Sequence, residues 1–198
     1  MKDTAPPSFS ISALNRAADS QAAAMMDRVV ERSPWFAHRA AAARPFRDAD
    51  HLAAWLEAEV RHLSHDEAVQ LLCAHPELSP SDPTGMTHAS QDEQGRLLLL
   101  QPNPQLSERL FNLNRRYLRQ HGYPFIIALH AQADTSAVIA QFENRIAADP
   151  DEELVRALGE VVSVMQARLA KLAGTAPKMG GSSDTTCTPV ANKGRAGT

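Results

Sequence analysis

The stretch 71–94 holds the side chains best suited to chemistry. His75-Pro76-Glu77-Leu78 follows directly on an apolar helical run, and Ser90-Gln91-Asp92-Glu93-Gln94 comes after a short loop. On a helix, Ser90, Glu93 and Gln94 stand three and four positions apart and share one face. That face would offer a hydroxyl, a carboxylate and an amide, which together can bind a small polar heterocycle through complementary hydrogen bonds. His75 at a helix C-terminus meets the negative end of the helix dipole, which favours imidazolium. A histidine near a carboxylate is an acid–base candidate at neutral pH. The same residues also have plain structural uses: a histidine followed by proline can simply stop a helix, and a polar run such as 90–94 can be a solvated helix face.

Other chemistries find less support. His62 and His65 are three apart, but Ser64 and Glu67 between and beside them read as a helix cap, and no HExxH or CxxC occurs, so no metal site is expected. The glycines gather near the C-terminus rather than in a phosphate-binding loop, and no serine lies in a nucleophile-elbow motif. Two arginines sit at the edges of apolar stripes. Arg168 borders the stripe Leu154, Leu158, Val161, Met165, Leu169 and Leu172, while Arg145 lies beside Val138, Phe142 and Ile146. Each could reach into a pocket or merely cover core with its stem. Periodicity does not separate the two.

The elements that must position these residues are helical almost throughout. The stretch 11–30 is alanine-rich, with Met and Val at helical spacing. Ser33-Pro34, Asn103-Pro104 and Asp149-Pro150 each pair a cap with a proline at the first helical position. Asp48 or Asp50 opens a helix bearing Leu52, Trp55, Leu56 and Val60, and Ser64 with Glu67 forms a capping box. Prolines and Gly85 mark 75–86 as a loop, after which Thr87 starts a helix to about Leu100. Gly122 should end the helix that begins at Pro104, and Asp134 opens another to about Ala148. The run 123–129 is strand-like but has no strand to pair with, so it reads as a buried extended link. The expected architecture is all-α: a single-domain bundle of about eight short helices. Residues 1–9 form an arm, 10–172 the domain, and 173–198 a Gly/Ser/Thr-rich disordered tail.

Bulk properties narrow the class. The chain has 198 residues with 43% hydrophobic, enough for one core, and its net charge of −3 gives no sign of nucleic-acid binding. There is no apolar run of membrane-spanning length and no secretory leader pattern at the N-terminus. The two cysteines are too few for a disulfide scaffold; Cys73 reads as a buried thiol and Cys187 lies in the tail. A reducing cytoplasm fits both.

Several marks along 11–172 together resemble the OHCU decarboxylases, which act on 2-oxo-4-hydroxy-4-carboxy-5-ureidoimidazoline. They are Glu31-Arg32-Ser33-Pro34-Trp35 with Arg44-Pro45-Phe46, His75-Pro76-Glu77-Leu78, Ser90-Gln91-Asp92-Glu93-Gln94, Leu113-Asn114-Arg115-Arg116-Tyr117, Gly122-Tyr123-Pro124-Phe125-Ile126-Ile127 and Arg168-Leu169. The resemblance implies an all-helical, cofactor-independent carboxy-lyase, often a homodimer, that yields (S)-allantoin after urate oxidation. By motif, His75, Glu93 and Arg168 resemble the catalytic residues. Pro76, Ser90, Gln91, Asp92 and Gln94, the backbone of Phe125, Ile126, Ile127, Ala128 and Leu129, and Arg145 as an alternative to Arg168, fall at substrate-binding positions. On this reading an arginine grips an anionic substrate oxygen, His75 moves a proton, and Glu93 orients His75. Leu97-Leu98-Leu99-Leu100 stand where the family often has small residues. Two further readings remain: a helical binding or scaffold protein that kept the family core without activity, and an enzyme acting on a related ureido compound.

Overall fold

Short polar caps divide this chain into helices. The computed structural model describes residues 9–80 and 82–174, and among them nine α-helices follow in order. They are α1 (Ile11–Arg16), α2 (Asp19–Val30), α3 (Pro34–Ala42), α4 (Ala49–Arg61), α5 (His65–Cys73), α6 (His88–Arg96), α7 (Pro104–His121), α8 (Thr135–Ile146) and α9 (Pro150–Ala173), with 3-10 turns at Pro83–Gly85 and Leu129–Ala131. The side chains of Asp48, Ser64, Thr87, Asn103, Asp134 and Asp149 each accept a backbone N–H of the first turn that has no helical partner. Ser64 and Glu67 close the reciprocal capping box. Gly122 ends α7 at φ 81°, in the left-handed region that glycine takes without a Cβ clash.

The all-α expectation holds, and the differences have local causes. The stretch 11–30 forms two helices, because the backbone is extended at Ala17 and Ala18. Asn15 pins that break to the next loop: its Nδ2 donates to Phe46 O at 2.7 Å, and Phe46 N donates to its Oδ1 at 2.9 Å. Phe9, assigned to an N-terminal arm, packs into the core. Cys73, expected to be a buried thiol, is exposed at the end of α5. The expectations for 1–8, for the tail beyond Gly174 and for Cys187 lie outside the described residues.

Helix α9 is the spine. It packs along α4 and also meets α2, α5 and α7, while α2 lies on α3 and α7 on α8. Phe125 stacks on Phe142 with ring centroids 3.9 Å apart, beside the buried Tyr117. Residues 123–128 are extended and largely buried, with no paired strand among the described residues, and Leu129 opens the second 3-10 turn. Among the described residues no helix is long and apolar enough to cross a membrane.

Helix α6 ends at Arg96 rather than near Leu100. Leu98 N donates to Gly95 O at 3.0 Å and Leu99 N to Gln94 O at 3.1 Å, the paired bonds of a Schellman motif. The motif places Leu98 at φ 56°, a backbone that normally takes glycine, with its side chain 75% exposed. Leu97 and Leu99 are buried on either side, so the leucine run is a turn that anchors the end of α6. A left-handed backbone costs a non-glycine residue about 1 kcal/mol, and Leu98 recovers little by burial. Leu98→Gly is therefore expected to raise stability by about 1 kcal/mol, seen as a higher urea midpoint with an unchanged m-value.

Candidate active site

His75 sits just past the end of α5, 9% exposed, where the loop to α6 begins. Its Nδ1 lies 3.0 Å from Leu71 O. A carbonyl can only accept, so Nδ1 carries the hydrogen and Nε2 is left as the atom that can take or give a proton. Burial pushes the imidazole below its ordinary value of 6.5, against the raising influence of the Leu71 bond and the Glu31 charge. The helix dipole favours imidazolium, but desolvation of the buried ring acts in the opposite direction and is the larger influence.

Beside His75 lies a charge cluster drawn from three helices, with Glu31 and Arg168 buried and Glu93 partly exposed. Arg168, from α9, donates from Nε to Glu93 Oε1 and from Nη2 to Glu93 Oε2, both at 2.8 Å, which is a two-point grip on a residue of α6. Its Nη1 is paired with Glu31 Oε2 at 2.6 Å. Glu31, at the C-terminal end of α2, also accepts from Ser90 Oγ at 2.7 and 2.8 Å and from the Thr87 hydroxyl. Burial alone would raise the Glu31 carboxyl, but the Arg168 charge and the two hydroxyl bonds outweigh it and hold the group below its usual 4.5. Burial would likewise lower Arg168, and Glu93 with Glu31 raise it instead.

The structure thus brings His75, Glu93, Arg168 and Ser90 together. The bond that orients His75 comes from Leu71, while Glu93 grips Arg168. The Nε/Nη2 edge of Arg168 is occupied by Glu93. Nor does Arg168 snorkel: its side chain is 7% exposed. Gln94 is buried and ties down the loop after His75, donating to Glu77 O and accepting from Ser79 N, each at 2.8 Å. Pro76 is half-buried in that loop. Asp92 lies on the outer face of α6, 72% exposed and 3.8 Å from Lys171, and Gln91 donates to Met86 O.

Arg145 belongs to a second network. It is 1% exposed, donates from Nε to Glu153 Oε1 at 2.8 Å and from Nη1 to Ile126 O at 3.0 Å, and lies over the Phe125 ring. Tyr117 donates to the same Glu153 oxygen, and burial with that charge raises both Tyr117 and Tyr123, the latter to about 12. Glu160 Oε2 accepts from Ala128 N at 2.7 Å, and Arg96 donates to Leu129 O. Three side chains therefore hold the backbone of Ile126, Ala128 and Leu129, with Ile127 carried between them. Two surface hollows, about 520 Å³ between α7 and α8 and about 400 Å³ between α4 and α9, are lined by neither network's central residues. No group of three or more His, Cys, Asp or Glu that could hold a metal occurs among the described residues.

Sequence reasoning missed Glu31 as a site residue. Its motif was noticed, but nothing in the pattern shows that a charged residue at a helix end turns inward. The signal is conformational: Glu31 and Arg32 have φ 46° and 50°.

A helical domain closed around a buried histidine, with a guanidinium braced between two carboxylates beside it, defines a small all-α protein with an acid–base site. Comparison with known proteins narrows that class. The OHCU decarboxylase family model matches residues 15–170, and the chain belongs to that family. It is 33% identical over 158 residues to the 2-oxo-4-hydroxy-4-carboxy-5-ureidoimidazoline decarboxylase of Haloferax volcanii, covering 80% of this chain and 92% of that protein. A crystal structure of (S)-allantoin synthase matches with a TM-score of 0.59 and 27% identity, over 83% of this chain and 54% of that one. The fold is also that of an OHCU decarboxylase crystallised in the presence of (S)-allantoin, at a TM-score of 0.63 and 18% identity over 80% of this chain and 99% of that one.

Two measurements test the electrostatics. Because His75 is lowered in the folded chain, the unfolded chain takes up the proton first as pH falls. Its contribution is full above 6.5 and erodes below, while that of Glu31, also lowered, is full above 4.5 and is lost as pH falls through its folded value. The urea midpoint of the native chain should fall as pH drops below 6.5, and His75→Gln should flatten that limb. Separately, Arg145→Met strands the buried Glu153 and should cost about 3–5 kcal/mol, with much of the loss recovered in the Arg145→Met/Glu153→Met double variant. A cost within experimental error would mean that the pair does not hold this end of α9.

Proposed function

We propose that this chain decarboxylates 2-oxo-4-hydroxy-4-carboxy-5-ureidoimidazoline to (S)-allantoin, without a cofactor. The observation that carries the reading is the His75 ring, fixed through Nδ1 by Leu71 with Nε2 left for proton transfer, beside the Arg168 charge. Family membership supplies the substrate class.

The chemistry asks little of the protein beyond placement and proton control. The bond from the ring carbon to the carboxylate breaks, CO₂ leaves, and the electron pair stays behind in the imidazoline ring, which can delocalise it. A proton returned to one face gives one enantiomer. Neutral His75 takes the proton of the substrate hydroxyl through Nε2, or as imidazolium delivers one to the ring. Arg168 has five N–H groups, and Glu93, Glu31 and Ser90 engage most of them, so it meets a substrate oxygen with a remaining Nη1 hydrogen rather than with its whole edge. The backbone of 125–129 would hydrogen-bond the ureido group, a role that its hold by Arg145, Glu160 and Arg96 supports. A homodimer and a cytoplasmic setting belong to the same reading.

The test is a coupled assay: the substrate is generated from urate with an oxidase and a hydrolase, and allantoin is followed by circular dichroism. The native chain should accelerate formation of one enantiomer, and His75→Asn should lower the rate by about 10²- to 10⁴-fold with its melting curve intact. No acceleration by the native chain would overturn the reading in favour of a binding protein.

A further inference from the structure

Glu31 is a residue that the proposed chemistry does not use, yet the site is assembled on it. It is 3% exposed, and its carboxylate makes contact with two other helices: Ser90 and Thr87 at the start of α6, and Arg168 on α9. The chain takes a left-handed backbone at both Glu31 and Arg32 where it leaves α2. Ordinary side chains avoid that region, and the carboxylate contacts of Glu31 are interactions that help to offset its cost.

The charge count makes the placement consequential. The charged groups facing His75 are Glu31 from α2, Glu93 from α6 and Arg168 from α9. Two carboxylates against one guanidinium leave a net negative charge beside the ring. Without Glu31 the pair Glu93–Arg168 would be neutral, and Arg168 would lose its Nη1 partner.

We propose that Glu31 is the positioning residue of this site: its carboxylate, reaching from the end of α2 to α6 and α9, fixes Ser90 and the Arg168 guanidinium beside His75. The inference rests on His75 being the proton-moving group, as in the reading above. It predicts separate consequences for charge and for reach. Glu31→Gln keeps the shape and removes the charge; Glu31→Asp keeps the charge and shortens the reach by one methylene.

The experiment is a nitrogen-15 NMR titration of the His75 ring in the native chain and both variants, assigned with His75→Gln and accompanied by melting curves and the coupled assay. In Glu31→Gln the His75 inflection should move to lower pH, because removing the carboxylate and unmasking Arg168 both disfavour imidazolium. In Glu31→Asp the inflection should stay near that of the native chain. In both variants kcat should fall roughly ten- to a hundredfold, with KM changing less. An unmoved His75 inflection in Glu31→Gln would overturn the proposal. So would a variant that loses melting temperature alone while titration and kcat stay native. Should Glu31→Gln not fold, Glu31→Asp decides: a native kcat overturns the positioning role, and a tenfold or greater loss at unchanged melting temperature supports it. The titration needs no substrate. A native chain inactive in the assay whose inflection still moves in Glu31→Gln would refute the decarboxylase reading and leave this one standing.

Discussion

The Arg168 guanidinium, braced between Glu93 and Glu31, is the constraint on which the site depends. Arg168 and Glu31 leave water and Glu93 does so in part, so the buried charges must find their partners within the fold or be neutralised. That requirement fixes relations among helices far apart in sequence. α9 has to run long enough to bring Arg168 to α2 and α6, α2 has to end in a turn that aims Glu31 inward, and α6 has to show its Ser90 and Glu93 face to both. A buried ion cluster adds little net stability compared with apolar packing of the same volume. What it supplies here is position: a guanidinium gripped at two points cannot be shifted without stranding a carboxylate.

The other end of α9 repeats the device for a different purpose. Glu153 and Arg168 are fifteen residues apart, about 22 Å along the helix axis, and each sits in its own buried network. In both places helix-borne side chains control backbone that is not helical. Gln94 and Asn114 hold the loop after His75 through Glu77 O, Ser79 N and Leu78 O. Arg145, Glu160 and Arg96 do the same for 126–129. The molecule thus uses amides and charged groups where a mixed fold would use a neighbouring strand.

What was legible in the sequence was local. The caps at Asp48, Ser64, Thr87, Asn103, Asp134 and Asp149 work within one turn of the chain, so residue type at fixed spacing is enough to find them. Ser90, Glu93 and Gln94 could be placed on one face for the same reason. The rest was illegible because it depends on partners distant along the chain. Arg145 and Arg168 look alike at the edge of an apolar stripe, and only Glu153 and Glu31, on other elements, give them different work. Cys73 belongs to an apolar helix but falls on its exposed side. Leu98 took a conformation that residue type argues against, because Leu97 and Leu99 must both be buried.

The non-helical link 125–128, with Leu129 at the start of the turn that follows, carries a consequence for how this chain can change. Its main-chain path is set at Ile126, Ala128 and Leu129 by guanidinium and carboxylate groups from α8, α9 and α6, while its own side chains serve mainly to fill the core. The segment's letters can therefore drift among apolar residues of similar volume without moving its amides and carbonyls. A change at Arg145 or Glu160, far away in sequence, would move them at once. The information that shapes this stretch is stored outside it, and the stretch read alone would be a poor record of what it does.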